Sequence, residues 1–246
     1  MGRALLTDLY ELRMAASYRR RGVDGTATFS LFVRALPPER GFLVACGLED
    51  CLTYLDGLAV ESEDLDAMTA LGLDDSIVGA LEGLRFSGDV WAVPEGRSVF
   101  ADEPLLEVTA PIAEAQLAET FLLNQVTFQT AVATKAARCR LAAGDAALVD
   151  FAFRRTHGVE AAMAVARATA VVGFAATSNV AAAERFGLRA SGTMAHSYVE
   201  AFPSEADAFR AFAIGNSFRV TTSSLVPPKS INAIMFYLSS IKGRIS

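Results

Sequence analysis

Between Gly144 and Ser191 short β-like runs alternate with helical stretches, and this alternation restricts the fold more than any other feature. The pattern predicts a strand over Ala146–Phe153, a helix over Val159–Val172 and a strand over Gly173–Ala176. Ser178 or Asn179 then caps a helix ending at Phe186, and Leu188–Ser191 is a further strand. Repeated β-α-β units with right-handed crossovers build a parallel sheet, open or closed into a barrel. A closed barrel needs about eight such units over about 250 residues. The strands named here fall short of that, so the expected fold class is α/β: an incomplete (β/α) barrel with a mixed α+β N-terminal domain. The expected boundaries are 1–112 for that domain, 113–213 for the first part of the barrel and 214–246 for a divergent tail.

Upstream, Asp8 with Glu11 three residues on reads as a capping box, opening a helix that puts Leu9, Leu12 and Ala16 on one face. Arg19, Arg20 and Arg21 suit its C-terminal end and Gly22 stops it. Thr26–Arg34 alternates as a strand, Pro37–Gly41 is a loop and Leu43–Leu58 a helix. Ser62–Leu84 holds two shorter helices separated at Gly72, and Phe86–Thr109 a set of short β segments. Pro111 opens a helical region reaching about Ala143, with a break expected near Gln125-Val126-Thr127, and Glu205–Phe212 is again helical.

Charge and cysteine usage exclude several classes of protein. A formal net charge of −6 with no basic stripe argues against nucleic acid as a partner. Cys46, Cys51 and Cys139 form no C-x-x-C pair and read as reduced core thiols. Met1-Gly2-Arg3 leads straight into an amphipathic helix without an apolar signal core. The apolar stretch Ala161–Ala176 is interrupted by Arg167 and too short to span a bilayer. A cytoplasmic protein with no membrane partner is expected. After Ala213 residue usage changes: residues 1–213 hold all 28 acidic residues, and isoleucine replaces alanine as the common aliphatic. That break suggests a tail of different origin or reading frame, or else an ordinary basic extension.

The polar residues gather where strands end. The two histidines lie in Phe153-Arg154-Arg155-Thr156-His157-Gly158 and Gly192-Thr193-Met194-Ala195-His196-Ser197. Each cluster follows a β-like run, at the edge of an α/β sheet where ligands usually bind. Arg154 and Arg155 present guanidinium forks suited to phosphate or carboxylate; taken alone, such a pair is also an ordinary surface ion pair. His196 can act as acid, base or nucleophile, or stand as a hydrogen-bonded structural residue. Thr193 and Ser197 add hydroxyls that could equally be caps, and Tyr10 is an aromatic platform or a core residue. No P-loop and no zinc-ligand spacing occurs. A carrier-type β module is excluded, because Lys135, Lys229 and Lys242 all lie outside the β region.

Together these stretches resemble the nicotinate phosphoribosyltransferase family. The resemblance runs from about Leu5 to Ala213. It rests on Leu6-Thr7-Asp8-Leu9-Tyr10 with Met14, Gly88-Asp89-Val90, Glu103-Pro104-Leu105 and Glu119-Thr120 with Leu123-Asn124. The two histidine clusters and Thr177-Ser178-Asn179 complete it. It implies that nicotinate displaces pyrophosphate from phosphoribosyl pyrophosphate, giving nicotinate mononucleotide for NAD salvage. ATP hydrolysis would be coupled through a transient phosphate on His196, with Mg²⁺ neutralising the pyrophosphate. Tyr10 would stack on the nicotinate ring, from its own or the neighbouring subunit of a homodimer, with Thr193 beside it. Arg154 and Arg155 would face the ligand's anionic groups, and His157 and Ser197 would also bind substrate. Residues 214–246 match none of the family's later barrel strands, so a truncated member of low activity is expected. The alternative is a non-catalytic fragment that dimerises with intact subunits.

Overall fold

The computed structural model describes residues 2–215, so the expected tail lies outside the described residues from residue 216 onward. A single 3-10 turn at Arg3–Leu5 leads into α1 (Leu9–Arg20) and β1 (Thr26–Phe32). Then come β2 (Leu43–Val44), α2 (Leu48–Asp56), α3 (Ser62–Ala70) and α4 (Asp75–Leu81). The β-rich stretch gives β3 (Asp89–Ala92), β4 (Ser98–Val99) and β5 (Pro104–Pro111). The long α5 (Ile112–Ala143) follows. The second half contains β6 (Val149–Asp150), a 3-10 turn at Phe153–Arg155, α6 (Val159–Val171), β7 (Ala176–Thr177) and α7 (Val180–Phe186). It ends in α8 (His196–Glu200) and α9 (Glu205–Gly215).

The first half is built on an antiparallel sheet with strand order β1-β5-β3. β5 pairs with β1 from Thr26↔Pro111 to Phe32↔Pro104, with a register shift between Leu31 and Phe32. Alternate residues of β5, Leu106, Val108 and Ala110, are buried and meet a core that includes Leu12, Tyr54, Met68, Leu117 and Leu122. Each fully buried side chain of that size contributes about 1.5–3 kcal/mol of hydrophobic stabilisation. β5, flanked by β3, thus joins β1 from the other end of the domain, while β4 pairs with β2 (Leu43↔Val99, Val44↔Ser98), so the β segments do not form a separate unit.

Three local expectations are corrected. The capping box at α1 does not form: Asp8 makes no side-chain cap bond. Glu11 turns instead into the α1–α5 interface, so the buried face is Glu11, Leu12, Ala15 and Ala16, and Leu9 is 46% exposed. The expected Leu43–Leu58 helix is split into β2 and α2, because Gly47 adopts a φ of 103° in a left-handed turn. The expected break in α5 is absent. Gln129, Thr130 and Thr134, which sit just past it, are buried and bonded to the β2–α2 segment. Gln129 Nε2 donates to Asp50 (2.6 Å), Thr134 Oγ1 accepts from the Val44 N–H (2.9 Å) and Thr130 Oγ1 from the Cys46 N–H (3.2 Å). Polar residues just past the expected break are thus the contacts that hold the helix in place. The uninterrupted helix is roughly 48 Å long at about 1.5 Å per residue.

The second half is a parallel α/β unit. β6 and β7 pair with Val149↔Ala176 and Asp150↔Thr177, and Thr177 also bridges Ala190 in parallel. The strands are shorter than the sequence suggests, the third being only the bridge at Ala190. Beyond Asp150 the backbone leaves the ladder for the 3-10 turn, and His196 begins a short helix rather than a loop. The described residues are mixed α/β and contain no closed barrel. Val44, Cys46, Ala133 and Ala168 pack the two halves together along α5 and α6.

Candidate active site

The chain leaves β6 into Phe153–Gly158 and leaves the Ala190 bridge into Gly192–Ser197. Both strands run parallel to β7, which lies between them, so both turns emerge from the same, carboxyl, edge of the sheet. Neighbouring strands are about 4.8 Å apart, which puts the two exits roughly 10 Å from each other. Arg154, Arg155, His157, Thr193, His196 and Ser197 are all solvent-exposed. The structure therefore brings these six predicted residues to one edge of one sheet. Tyr10 is not on that edge: it lies on α1, half exposed, and α1 packs on α4 and α5.

What holds the edge together is a buried polar group that sequence reasoning passed over. Asp150, at the end of β6, accepts from the Ala152 N–H (2.8 Å) and from Thr177 Oγ1 (2.8 Å). Thr177 Oγ1 accepts in turn from the Asn179 N–H (3.1 Å), and Asn179 Oδ1 caps α7 by accepting from the Ala182 N–H (3.2 Å). Asp150, Thr177 and Asn179 are all buried. The signal was present in Thr177-Ser178-Asn179 as a polar stop after an apolar run, but nothing in it pointed back to Asp150.

Around Tyr10 the environment is acidic. Glu11 is fully buried and accepts from Gln116 Nε2 and from Thr120 Oγ1 (3.3 Å). Thr120 also lies 3.4 Å from Asp8 Oδ2. Burial pushes the Glu11 carboxyl above its ordinary range, the more so for the nearby charge of Glu119. The Tyr10 phenol is pushed up to about 12, first by its hydrogen bond to Glu11 and then by desolvation and the charges of Glu11 and Glu119. Tyr10 is therefore a neutral phenol at any physiological pH, fit for stacking rather than proton transfer.

The thiols offer no nucleophile. Burial, with the charge of Glu95, pushes Cys46 up to about 11, and burial with Asp50 pushes Cys51 up to about 12, so neither is a thiolate near neutral pH. Among the described residues no group of three or more His, Cys, Asp and Glu could hold a metal ion. A cleft of about 330 Å³ lies between α2, α6 and the end of α7, with Glu49, Arg167, Arg185 and Phe186 in its wall. None of the sequence-predicted residues lines it.

The strand ends thus define an α/β protein that offers cationic and hydroxyl groups at the carboxyl edge of a parallel sheet, the edge where such folds seat ligands. The comparisons carry the identification further. The nicotinate phosphoribosyltransferase (NAPRTase) N-terminal domain matches residues 5–127, and the nicotinate phosphoribosyltransferase (NAPRTase) family matches residues 146–225, beyond the Ala213 limit expected from the sequence. The chain belongs to the nicotinate phosphoribosyltransferase family. It is 48% identical over 211 residues to a nicotinate phosphoribosyltransferase of Mycobacterium tuberculosis, covering 85% of this chain and 46% of that protein. It is 44% identical over 212 residues to the Bacillus subtilis nicotinate phosphoribosyltransferase, covering 85% of this chain and 43% of that one. The chain therefore spans less than half the length of these relatives. The crystal structure of human nicotinic acid phosphoribosyltransferase superposes with a TM-score of 0.72 at 36% identity, over 80% of this chain and 40% of that one. A nicotinate-nucleotide pyrophosphorylase from Pyrococcus furiosus shares the fold, with a TM-score of 0.69 at 24% identity, over 85% of this chain and 46% of that one. No described helix is long and apolar enough to cross a membrane.

Proposed function

We propose that this chain carries a phosphoribosyl-transfer site that makes nicotinate mononucleotide from nicotinate and phosphoribosyl pyrophosphate, coupled to ATP hydrolysis. One observation carries the reading: Arg154, Arg155, His157, Thr193, His196 and Ser197 share the carboxyl edge of one parallel sheet. In the transfer, the pyridine nitrogen bonds to the ribose anomeric carbon as the bond from that carbon to pyrophosphate oxygen breaks. Positive charge grows on the ribosyl ring and negative charge on the departing pyrophosphate. Fixed guanidinium groups and oriented N–H donors at the edge lower that barrier by stabilising the developing anion.

α6 adds to this. It begins at Val159, directly after His157 and Gly158, and its first N–H groups and positive dipole end suit a phosphate. His196 is the proposed acceptor of the ATP γ-phosphoryl group: an imidazole nitrogen bonds to phosphorus and ADP departs. Water later cleaves the phosphohistidine. The added negative charge and acceptor oxygens would redraw the hydrogen bonds of the histidine turn. Tyr10 supplies the stacking face for nicotinate, from its own or a neighbouring subunit of a homodimer, with Thr193 beside the ring. Mg²⁺ would be held chiefly through the phosphate oxygens of its substrates, as is usual for this ion. No step here runs through it. The incomplete-barrel architecture, with units at 1–112 and 113–213, is the frame on which this reading is built.

Incubating the chain with nicotinate, phosphoribosyl pyrophosphate, ATP and Mg²⁺ tests the proposal. Nicotinate mononucleotide should form, and Arg155→Ala should raise the KM for phosphoribosyl pyrophosphate more than tenfold, since a charge-assisted contact is worth about 1.5–3 kcal/mol. No mononucleotide from the parent chain, or an Arg155→Ala variant with unchanged kinetics, would contradict it.

A further inference from the structure

The residues expected to touch a ligand do not explain what keeps their two turns in register. We infer that Asp150 is a positioning residue for this site: its one buried carboxyl group ties the arginine turn to the histidine turn. The catalytic consequence rests on the functional reading above, whereas the structural consequence does not.

Oδ1 bonds directly into the arginine turn, and Oδ2 bonds Thr177 on β7, the strand paired with the segment that leads into the histidine turn. Oδ1 accepts from the Ala152 N–H at 2.8 Å. The Ala152 carbonyl then accepts from the Arg155 N–H (2.8 Å) and from Thr156 Oγ1 (2.9 Å). One oxygen of Asp150 thereby fixes the first residue of the bend that carries Arg154, Arg155 and His157. Oδ2 accepts from Thr177 Oγ1 at 2.8 Å. Thr177 is locked to the next strand on both sides: its N–H donates to Arg189 O (3.0 Å) and its carbonyl accepts from the Ser191 N–H (2.9 Å). Ser191 is followed directly by Gly192-Thr193, the start of the histidine turn.

The path Arg155–Ala152–Asp150–Thr177–Ser191 therefore runs across the sheet, and Asp150 is the only member that contributes a side chain to both sides. With 4% of its surface exposed, the residue has no solvent to replace those partners. An apolar side chain of similar size would fill the space but leave the Ala152 N–H and the Thr177 hydroxyl without acceptors. The two hydrogen-bond sets place its effect at the mouth of the site rather than in the core.

Amide hydrogen exchange on the whole chain tests this directly. Asp150→Ala should speed exchange about tenfold in both segments 152–158 and 191–197, because local protection follows the hydrogen bonds that close each segment. The β1–β5 sheet should keep its protection. Asp150→Asn retains an acceptor for the Ala152 N–H and should restore protection to 152–158. Thr177→Val should loosen 191–197 and, through the lost acceptor for the Asn179 N–H, the start of α7, but not 152–158; Thr177→Ser, which keeps the hydroxyl, should loosen none of them. Loss confined to 152–158 in Asp150→Ala, or spread evenly through the molecule, would overturn the role. If Asp150→Ala fails to fold, Thr177→Val decides: unchanged exchange at 191–197 overturns it. In turnover, Asp150→Ala should raise the KM for phosphoribosyl pyrophosphate, and Asp150→Asn should recover part of it. The predicted exchange pattern in a chain that makes no mononucleotide would sink the functional reading and leave the positioning role standing.

Discussion

Glu95 and Arg167 meet at the junction of the two halves through hydrogen bonds of 2.5 and 3.0 Å. Glu95 lies in the turn between β3 and β4, and it also accepts from the Gly47 and Leu48 N–H groups (2.7 and 2.8 Å) at the start of α2. Arg167 comes from α6, its side chain only 10% exposed, and reaches Glu49 at 2.6 Å as well. One guanidinium group thus links the loop, α2 and α6. Arg167→Met leaves two carboxylates facing each other without their cation and should cost about 3 kcal/mol. The check is the urea midpoint at neutral pH, with the slope unchanged. A loss well under about 1 kcal/mol would mean that the junction is held by its apolar contacts instead.

The same pair sets an acid limit on stability. Burial alone would push the Glu95 carboxyl up, but the hydrogen bonds and charge of Arg167, helped by backbone N–H groups, outweigh it and hold the group below its ordinary 4.5. A carboxyl with a depressed folded value stabilises the fold above its unfolded value and loses that contribution as pH falls through the folded one. Stability should therefore decline below about pH 4.5, and Glu95→Gln should decline less steeply there. Parallel slopes for the two proteins below that pH would refute the assignment.

Glu11 works in the opposite direction. Its folded value is raised, chiefly by burial, so the neutral form is favoured in the fold and ionisation becomes a growing penalty as pH rises above 4.5. Glu11→Gln should match the parent near pH 4 and exceed it in stability at pH 7. It should also return the Tyr10 phenol, at about 12, toward the ordinary value of 10.0, because the hydrogen bond to Glu11 is the main cause of its shift. Ultraviolet titration against Tyr10→Phe isolates that phenol. An unchanged Tyr10 transition in Glu11→Gln would break the link.

Gly47 should tolerate no side chain. Its φ is 103°, and a Cβ there would sit 2.9 Å from the backbone oxygen of Gln125 on α5. Strain and clash together should make Gly47→Ala about 2 kcal/mol less stable or worse. Since Gly47 also donates to Glu95, the variant should show a weakened Arg167 junction, measurable as non-additivity with Arg167→Met. Simple additivity would contradict that coupling.

Element types were legible wherever burial follows a simple period: α1, β1, α6 and the Asn179 cap fall close to where their residues predict. Failures came where a polar side chain finds a distant partner. Glu11 reads as a cap because sequence shows only its neighbour Asp8, whereas its partners Gln116 and Thr120 lie on α5. Gln125-Val126-Thr127 reads as a break because nothing local says that Gln129 will meet Asp50. The strand-end motifs stood out as clusters of arginine, histidine and threonine. Asp150 did not, since one carboxyl group after an apolar run has no signature until the turn it holds is seen.

If the two strand-end turns handle phosphate as proposed, His196 is the residue that carries it. The direct measurement is to expose the chain to ATP labelled in its γ-phosphate and map acid-labile phosphate by peptide mass spectrometry. Label is expected on the peptide holding Gly192–Ser197, lost in His196→Ala and retained in His157→Ala. Label on His157, or none on either histidine, would contradict it.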